Sequence, residues 1–444
     1  MNKRATTKKH LLPLLFSVLL FASILRPLPA QSISELDTGR KAIEAGDYST
    51  AEQIYRKALV QTPSSTKVLT GLGLSLQMQG RSTEAIHYLS LVLKQQYIPE
   101  TYALLAEERC HAGDLDSARP MLDRIYREQK NNIRVLSVVA PCYLDIDKPI
   151  ESAIIYKWLA SNSNNSADLV LVQLAKSYLR SGQFFVERLS KAKGSEPFLE
   201  AIRRASASGS STARSAFAQA ARLSPYFRAD LDWTGAVDRW RQHANDISLL
   251  YLLAVLSGEE GMKQIELCSQ TFPASPYLGQ FYADILADQG HGDEAIAQYE
   301  QLLRDHPDMS DLRYSLGLLR EKREQWTEAA EAFRQQLAAY PNDERAVAHL
   351  SKCMLQLEQY AALRDFLSSR MQAEHPPQWA SLSMAEADEK LGDADSAIKI
   401  LSAAEQDPDA DKLIHYRLMH LYSISGRTAD AKREFALFRA ASRH

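Results

Sequence analysis

Residues 51–63 read AEQIYRKALVQTP, and the spacing inside this stretch decides the fold. A small residue, alanine, opens the stretch, the aromatic Tyr55 follows four positions later, and Pro63 comes eight positions after that. Residues 295–307 and 329–341 repeat the same spacing, within blocks of about 34 residues. An internal period of that length predicts a solenoid of stacked helix pairs.

Elementary packing explains why these residue types recur. Two short antiparallel helices approach closely only where their crossing point carries Gly or Ala. An aromatic residue four positions further on lies on the same face and fills the gap to the neighbouring helix. Gly in the turn adopts a backbone angle that residues with a Cβ atom avoid. Pro ends the second helix, where its missing N–H is not needed.

The pattern resembles the tetratricopeptide repeat, in which helix A, a turn and helix B form one unit. In the first unit Gly39 holds the small position of helix A and residues 46–48 form the turn. Three further units follow, the last weakened by Pro141, which we expect to break its helix A. Five more units occupy residues 283–435. The resemblance implies an all-α fold, a right-handed superhelical solenoid of antiparallel helix pairs, in a protein of exported bacterial type.

The middle of the chain departs from the repeat pattern. Gly182 occupies the turn position of a unit whose helix B fails, because Glu187 and Lys191 stand where Ala and an aromatic belong. Residues 253–273 are predicted to form a repeat with a shortened turn. We expect a bend or boundary between two solenoid segments, with a separate small domain as the alternative. The predicted division is 1–30 (signal or anchor), 31–183 (N-terminal repeats), 184–275 (irregular helical repeats) and 276–444 (C-terminal repeats).

The first 30 residues have the composition of a secretory signal. Basic residues at 3, 4, 8 and 9 precede an apolar run at 11–25, and Ala30 ends a small-residue cleavage site. The run is short for a bilayer span, which needs about 20 residues, so a cleaved signal is favoured. We therefore expect a periplasmic or secreted protein. The alternative is an uncleaved anchor that faces the periplasm and brings the chain close to a membrane through residues 11–25.

The balance of charged residues indicates which classes of partner the chain can bind. The chain has a formal net charge of −3, and without residues 1–30 it holds 47 Lys and Arg against 55 Asp and Glu, which argues against a nucleic-acid partner. One local segment is basic, with two Glu among eight basic residues at 188, 191, 193, 203, 204, 214, 222 and 228. It suits an acidic protein, an anionic polysaccharide or lipid headgroups, or it is simply a solvated helical segment.

The four cysteines are not spaced as C-x-x-C, which removes support for zinc, haem attachment and thioredoxin-like chemistry. Cys110 and Cys142 fall on the first helices of successive units, where they can lie close together. An oxidising compartment would permit a disulfide between them. The alternative is a set of buried free thiols.

Catalytic and metal-binding signatures are missing from the sequence. It contains no G-x-x-x-x-G-K-[ST], H-E-x-x-H or G-x-S-x-G, so we predict no enzyme and no cofactor. We also predict no metal site. Glu107, Cys110 and His111 lie one helical turn apart, but this spacing arises readily by chance, and His415 and His420 do not share a helix face well.

The predicted function is protein binding in the concave groove of the solenoid, which is lined by helix-A residues that face away from helix B. By register these are Tyr277, Gln280, Asp284, Asp311, Tyr314, Leu318, Arg345, Lys352, Trp379 and Glu386. Their mixture of aromatic, aliphatic and charged types suits a protein or peptide partner. The Lys and Asn pairs with which some members of the family clamp a peptide carboxylate are not at these positions.

Three hypotheses of function result. The first is a non-catalytic scaffold that assembles proteins in the bacterial envelope. The second is a carbohydrate- or lipid-binding accessory subunit of an export or outer-membrane machine, for which the basic segment is the motivation. The third is an enzyme with a site in the irregular middle. The repeat tiling, which covers nearly all of the chain after the signal, favours the first.

Overall fold

The computed structural model describes residues 30–162, 167–208, 226, 231–307, 309, 311–341, 343–372, 376–405 and 412–441. Across these residues the secondary structure is helical, without a strand, which confirms the predicted all-α class. The predicted signal at residues 1–30 lies almost wholly outside the described residues. Within them, every helix is too short or too polar to cross a bilayer.

The chain forms two compact units. The first comprises Met1–Gln289 and Asp305–Met309, and the second Gly290–Arg304 and Ser310–His444. The described helices up to Gln289 are α1 Ala30–Glu44, α2 Tyr48–Gln61, α3 Thr66–Gln77, α4 Ser82–Gln95, α5 Pro99–His111, α6 Leu115–Glu128, α7 Ile133–Val139, α8 Cys142–Asp145, α9 Pro149–Asn162, α10 Ala167–Ser190, α11 Glu196–Ser208, α12 Trp233–Gln242, α13 Ile247–Thr271 and α14 Pro276–Asp288. Those that follow are α15 Gly292–Asp305, α16 Leu312–Lys322, α17 Trp326–Ala339, α18 Glu344–Gln356, α19 Tyr360–Leu367, α20 Gln378–Lys390, α21 Ala394–Ala404, α22 Lys412–Ile424 and α23 Thr428–Ala441.

Helix pairs stack within each unit as predicted. From α1 to α6 each helix packs on the next, and the first helices of successive pairs also touch, α1 on α3 and α3 on α5. In the second unit α16 to α20 pack in sequence, and α18 contacts both α16 and α20. Because each pair buries its apolar stripe against the next, one repeat depends on its neighbours for a core.

Glycines in helix A make room for large side chains from helix B. A Cβ atom added at Gly317 would lie 2.7 Å from the Phe333 ring, and one added at Gly71 would lie 2.5 Å from the Tyr55 ring. Both rings are buried. Close helix approach at these crossing points therefore requires the missing side chain, as the sequence pattern predicted.

The turns between helix A and helix B repeat with the predicted period. Each contains one residue with φ between 56° and 87°, and in the second unit these residues are 34 positions apart, at 290, 324, 358, 392 and 426. After positions 324, 358, 392 and 426, the next residue donates its backbone N–H to a carbonyl five residues back, as Asp393 does to Asp388 at 2.8 Å. This bond closes the end of helix A. Glu324 and Glu358 adopt the left-handed conformation despite their Cβ atoms.

Two predicted turns in the middle of the chain are wrong. Helix α10 continues through Gly182, and α13 runs without a break from Ile247 to Thr271, where a repeat with a shortened turn was predicted at 253–273. The two long helices pack together, and Gly182 lies at their contact, where an added Cβ would be 3.4 Å from the Ser257 Cβ. Gly261 is also a contact residue, since an added Cβ would be 2.9 Å from Leu179. Here glycine serves close helix packing instead of a turn.

Pro141 interrupts the helix that contains it, as predicted: α7 ends at Val139 and α8 begins at Cys142. Proline removes a backbone donor and clashes with the preceding turn, so the helix breaks there. The break sets Cys142 on a short helix that packs against α5, where Cys110 lies. All four cysteines are buried free thiols. The Cys110 thiol, followed by burial, raises the pKa of Cys142 well above its usual range.

Candidate partner-binding surface

The surfaces of α16, α18 and α20 that carry the predicted groove residues, together with the corresponding surface of α22, form what we call the A-helix face of the second unit. Seven of the ten predicted residues lie on it, and its helices are consecutive helix-A elements of the repeats. The seven are Asp311, Tyr314, Leu318, Arg345, Lys352, Trp379 and Glu386. Their surroundings decide how much of this face is available to a partner.

Arg345 brings three of the predicted residues together. Its guanidinium donates to Asp311 Oδ1 at 2.9 Å, across one repeat, and its Cζ lies 4.7 Å from the centre of the Tyr314 ring. It also donates to Asp343 Oδ1 at 3.2 Å. Burial would lower the pKa of Arg345, but Asp311 and Asp343 raise it above the ordinary value, so the guanidinium stays charged.

Asp343 is a functional residue that the sequence analysis missed. It caps α18, because its carboxylate accepts from the backbone N–H groups of Arg345 and Ala346. It also accepts from Gln336 Nε2 at 3.0 Å. Burial raises the pKa of Asp343, but the Arg345 charge and these hydrogen bonds outweigh it and lower the pKa below its ordinary value. An Asp directly before a helix and after a Pro was the available signal.

A second ion-pair group joins α16 to α18. The buried Glu321 accepts from Lys352 Nζ at 2.8 Å and lies 2.7 Å from His349 Nδ1. The His349 ring stacks on Phe333, with centroids 5.4 Å apart. Lys352 was predicted to line the groove, whereas Glu321 and His349 were not, because their meeting depends on the rotation of two helices about their axes.

A third group joins α20 to α22. Arg417 donates to the predicted residue Glu386 at 2.6 Å and lies 3.7 Å from Glu389. His420 Nε2 lies 3.2 Å from Glu389 Oε1. The bonded residues of these groups are 28 to 34 positions apart in the chain, so the ion pairs link neighbouring helix-A elements along the A-helix face.

Apolar side chains lie on the same helices as these charged groups. Leu318 is 36% exposed and Tyr416 is 46% exposed, while Trp379 is half-buried against the core of its repeats. The A-helix face therefore offers exposed apolar contacts flanked by charges of both signs. This composition suits an extended segment of another protein, since apolar contacts supply affinity and charges supply register.

The other three predicted residues lie on α14 in the first unit, and two of them contact other helices. Asp284 accepts from Lys176 of α10 at 2.9 Å. Tyr277 packs in an apolar cluster with residues of α10 and α13, and burial raises its pKa to about 12. Gln280 is half-buried. Two of the three are thus engaged by the long helices of the middle region, which reduces what α14 offers a partner.

Three side chains of the basic segment, Arg188, Lys191 and Arg203, have partners within the chain. Arg188 Cζ lies 4.9 Å from the Phe184 ring centre, and Lys191 Nζ lies 2.6 Å from Glu187. Arg203 lies 3.3 Å from Glu200 and remains largely exposed. The side chains at 204, 214, 222 and 228 lie outside the described residues. Glu107, Cys110 and His111, which lie one helical turn apart, are not among the convergent metal-ligating groups of the described residues.

Comparison with known proteins supports the repeat register. A family model described as tetratricopeptide repeat matches residues 36–98 and 283–344. These regions contain the α2–α3 and α16–α17 crossings, in which Tyr55 packs on Gly71 and Phe333 on Gly317 as described above. No curated protein sequence matches the chain.

Three solved structures are similar to the chain at low identity. The APC/C hetero-tetramer Cut9–Hcn1 is 14% identical with a TM-score of 0.31, and the match covers 97% of this chain and 96% of that chain. A tetratricopeptide repeat protein from Parabacteroides merdae is 15% identical with a TM-score of 0.40, over 73% of this chain and 100% of that chain. The human IFIT1 dimer with PPP-AAAA is 15% identical with a TM-score of 0.27, over 85% of this chain and 91% of that chain.

At such identities and TM-scores, none of these structures bears on what this chain binds. The family assignment comes from the two matched regions and from the helix-pair packing inside each unit. The two matched regions of the chain, residues 36–98 and 283–344, are tetratricopeptide repeats.

Proposed function

We propose that this protein is a non-catalytic scaffold that binds an extended segment of a partner protein on the A-helix face of its second unit. Tetratricopeptide repeats are interaction modules, and repeat stacks present surfaces more often than they house chemistry. The supporting observation is that exposed Leu318 and Tyr416 share the A-helix face with ion pairs that link its neighbouring helices.

The ion pairs give this surface a preformed shape. Arg345 is held by Asp311, Asp343 and the Tyr314 ring together, so its position is set before a partner arrives. A preorganised surface loses less conformational entropy on binding, and more of the contact energy appears as affinity. The exposed apolar side chains then act as the contact points and the charges select the register.

The test compares two substitutions of similar exposure. Leu318→Glu places a charge on the A-helix face, where the leucine is 36% exposed, and Leu437→Glu does so on α23, a helix B, where the leucine is 39% exposed. Each variant and the parent chain serve as bait in envelope extracts, and captured proteins are quantified by mass spectrometry. The proposal expects a partner that is retained by the parent and by Leu437→Glu but lost from Leu318→Glu. Equal retention by both variants would contradict it.

The proposed site of action is the bacterial envelope, in the periplasm or outside the cell. The basic residues and the apolar run within residues 1–30 support this proposal. Cell fractionation followed by N-terminal sequencing tests it: the mature chain should be exported and should begin near Gln31. A protein recovered intact in the cytoplasm would contradict it.

The second candidate function is a carbohydrate- or lipid-binding accessory subunit of an export or outer-membrane machine. The largely exposed Arg203 within the basic segment is the observation in its favour. Reversing the charges at Arg203, Arg204 and Arg214 should abolish binding to an anionic polysaccharide such as heparin and to vesicles that contain anionic lipid. Unchanged binding to both would remove this candidate.

A further inference from the structure

Three side chains with metal-ligating atoms converge where α21, α22 and α23 meet. They are Glu405, directly after α21, His415 on α22 and Glu434 on α23, and one ligand atom of each lies within 4.8 Å of the others. His415 Nδ1 is 2.9 Å from Glu434 Oε2 and 4.0 Å from Glu405 Oε1. Metal–nitrogen and metal–oxygen bonds of about 2.0–2.1 Å place tetrahedral ligand atoms about 3.4 Å apart, so the two distances bracket what one ion needs.

Arg433 is hydrogen-bonded to one oxygen of Glu434 and forms a longer ion pair with one oxygen of Glu405. Its Nη2 is 2.6 Å from Glu434 Oε1 and 3.9 Å from Glu405 Oε2. The other oxygen of each carboxylate is the one near His415 Nδ1. Carboxylates that bind metals are commonly oriented by such outer hydrogen bonds, which leave the ligating oxygen directed inward.

Burial and charge also favour a cation. Glu434 is fully buried, and Glu405 and His415 are mostly buried. A buried carboxylate requires a compensating charge. The two carboxylates outnumber the single Arg433 guanidinium beside them, so the cluster favours a cation at Glu405 Oε1, His415 Nδ1 and Glu434 Oε2.

We propose that Glu405, His415 and Glu434 form a binding site for a divalent transition-metal ion, with Zn²⁺ as the best match. One imidazole nitrogen and two carboxylate oxygens are within the ligand set that zinc accepts, and water would complete the coordination. The ligands come from the end of one repeat and both helices of the next. Binding would therefore tie the last helix pair to the pair before it.

The experiment uses the full chain after chelator treatment, titrated with ZnCl₂ in a calorimeter and followed by thermal unfolding. The proposal expects one Zn²⁺ per chain and a higher unfolding temperature with the ion. His415→Ala and Glu434→Gln should each abolish both effects, and the second keeps the side-chain shape if the first unfolds. With Co²⁺ in place of Zn²⁺, visible absorption of a ligated ion should be seen in the parent chain and be lost in the variants.

His420→Ala is the matched control. His420 also lies beside a glutamate, with Nε2 3.2 Å from Glu389 Oε1, but it belongs to no convergent group of three among the described residues. Its replacement should leave Zn²⁺ binding intact. The proposal is overturned if the parent chain binds no Zn²⁺, or if His415→Ala and Glu434→Gln bind it as the parent does.

Discussion

Asp311 accepts a hydrogen bond from Arg345, the residue 34 positions later, at 2.9 Å. One repeat separates the two residues in sequence, and the bond joins their neighbouring helix-A segments directly. Arg345 is simultaneously bonded to Asp343, which caps its own helix. The same side chains that were expected to contact a partner therefore also fasten consecutive repeats to each other.

Replacing Arg345 tests how much this contact between repeats stabilises the protein. Arg345→Met leaves the buried Asp343 without its counter-charge, and since the arginine is partly exposed we expect a loss of about 1–2 kcal/mol of unfolding free energy. Urea unfolding of the full chain measures it. Lys352→Met serves as the control, because this lysine is more exposed and its loss should change the unfolding free energy by less than about 1 kcal/mol. Equal effects of the two would contradict the role of Arg345.

Asp343 makes stability depend on acid pH. Its pKa is lower in the folded protein than in the unfolded chain, so its ionisation stabilises the fold above the unfolded pKa and this contribution is lost as pH falls through the folded pKa. Asp343→Asn should lower the unfolding free energy at pH 7 by roughly 1–3 kcal/mol. The difference from the parent should shrink below about pH 4. Chemical unfolding between pH 7 and pH 3 checks this, and a constant difference would refute it.

Replacement by alanine should have opposite effects on protein stability at Gly317 and at Gly258. Gly317→Ala forces a methyl group against the Phe333 ring and should destabilise the protein by about 1–3 kcal/mol. Gly258 lies in α13 with nothing within 4 Å of an added Cβ, so Gly258→Ala should raise stability by up to about 1 kcal/mol through helix propensity. Thermal unfolding of the two variants tests this expectation. If Gly317→Ala were as stable as Gly258→Ala, Gly317 would not be needed for close helix packing.

The left-handed turn positions offer a stabilising change. Glu358 has φ 56° at the position that Gly392 fills one repeat later with φ 85°. Glu358→Gly should stabilise the protein by about 1 kcal/mol, because the left-handed conformation is unfavourable for a residue with a Cβ atom. Gly392→Ala should destabilise it by a similar amount. If Glu358→Gly lowers the unfolding temperature, the turn assignment is wrong.

Cys110 and Cys142 are expected to form a disulfide under oxidising conditions. Their thiols lie together between α5 and α8, and two thiols joined to a disulfide release two protons and two electrons, which oxidised glutathione accepts on becoming two glutathione thiols. The raised pKa of Cys142 keeps its reactive thiolate scarce, so the reaction should be slow at pH 7 and faster at pH 9. Peptide mapping should find the Cys110–Cys142 bridge with Cys268 and Cys353 reduced. A different pairing, or no pairing at pH 9, would contradict the expectation.

The repeat register was predictable because it depends on residue size. Gly317 and Phe333 reveal a helix crossing through their spacing alone, and their contact is observed. The middle was not predictable, since Gly182 has the same identity as the turn glycines while its backbone is helical within α10. A single sequence does not distinguish a glycine needed for positive φ from one needed for close packing.

The chemistry of the A-helix face was only partly predictable. Spacing placed Asp311, Tyr314 and Arg345 on corresponding surfaces, and the structure brings them into contact. It did not reveal Glu321 and His349, because a pairing between helices depends on helix rotation and rotamer choice. Similarly, the Glu405, His415 and Glu434 cluster draws its ligands from three helices, and no sequence spacing marks it.

Site-specific photocrosslinking in living cells tests the partner surface most directly. A photoreactive amino acid is placed at position 318 on the A-helix face or at position 437 on α23, both leucines of similar exposure. Irradiation should join position 318, but not position 437, to a discrete partner protein, which mass spectrometry then identifies. Crosslinks of equal yield at both positions, or at position 437 alone, would contradict the account.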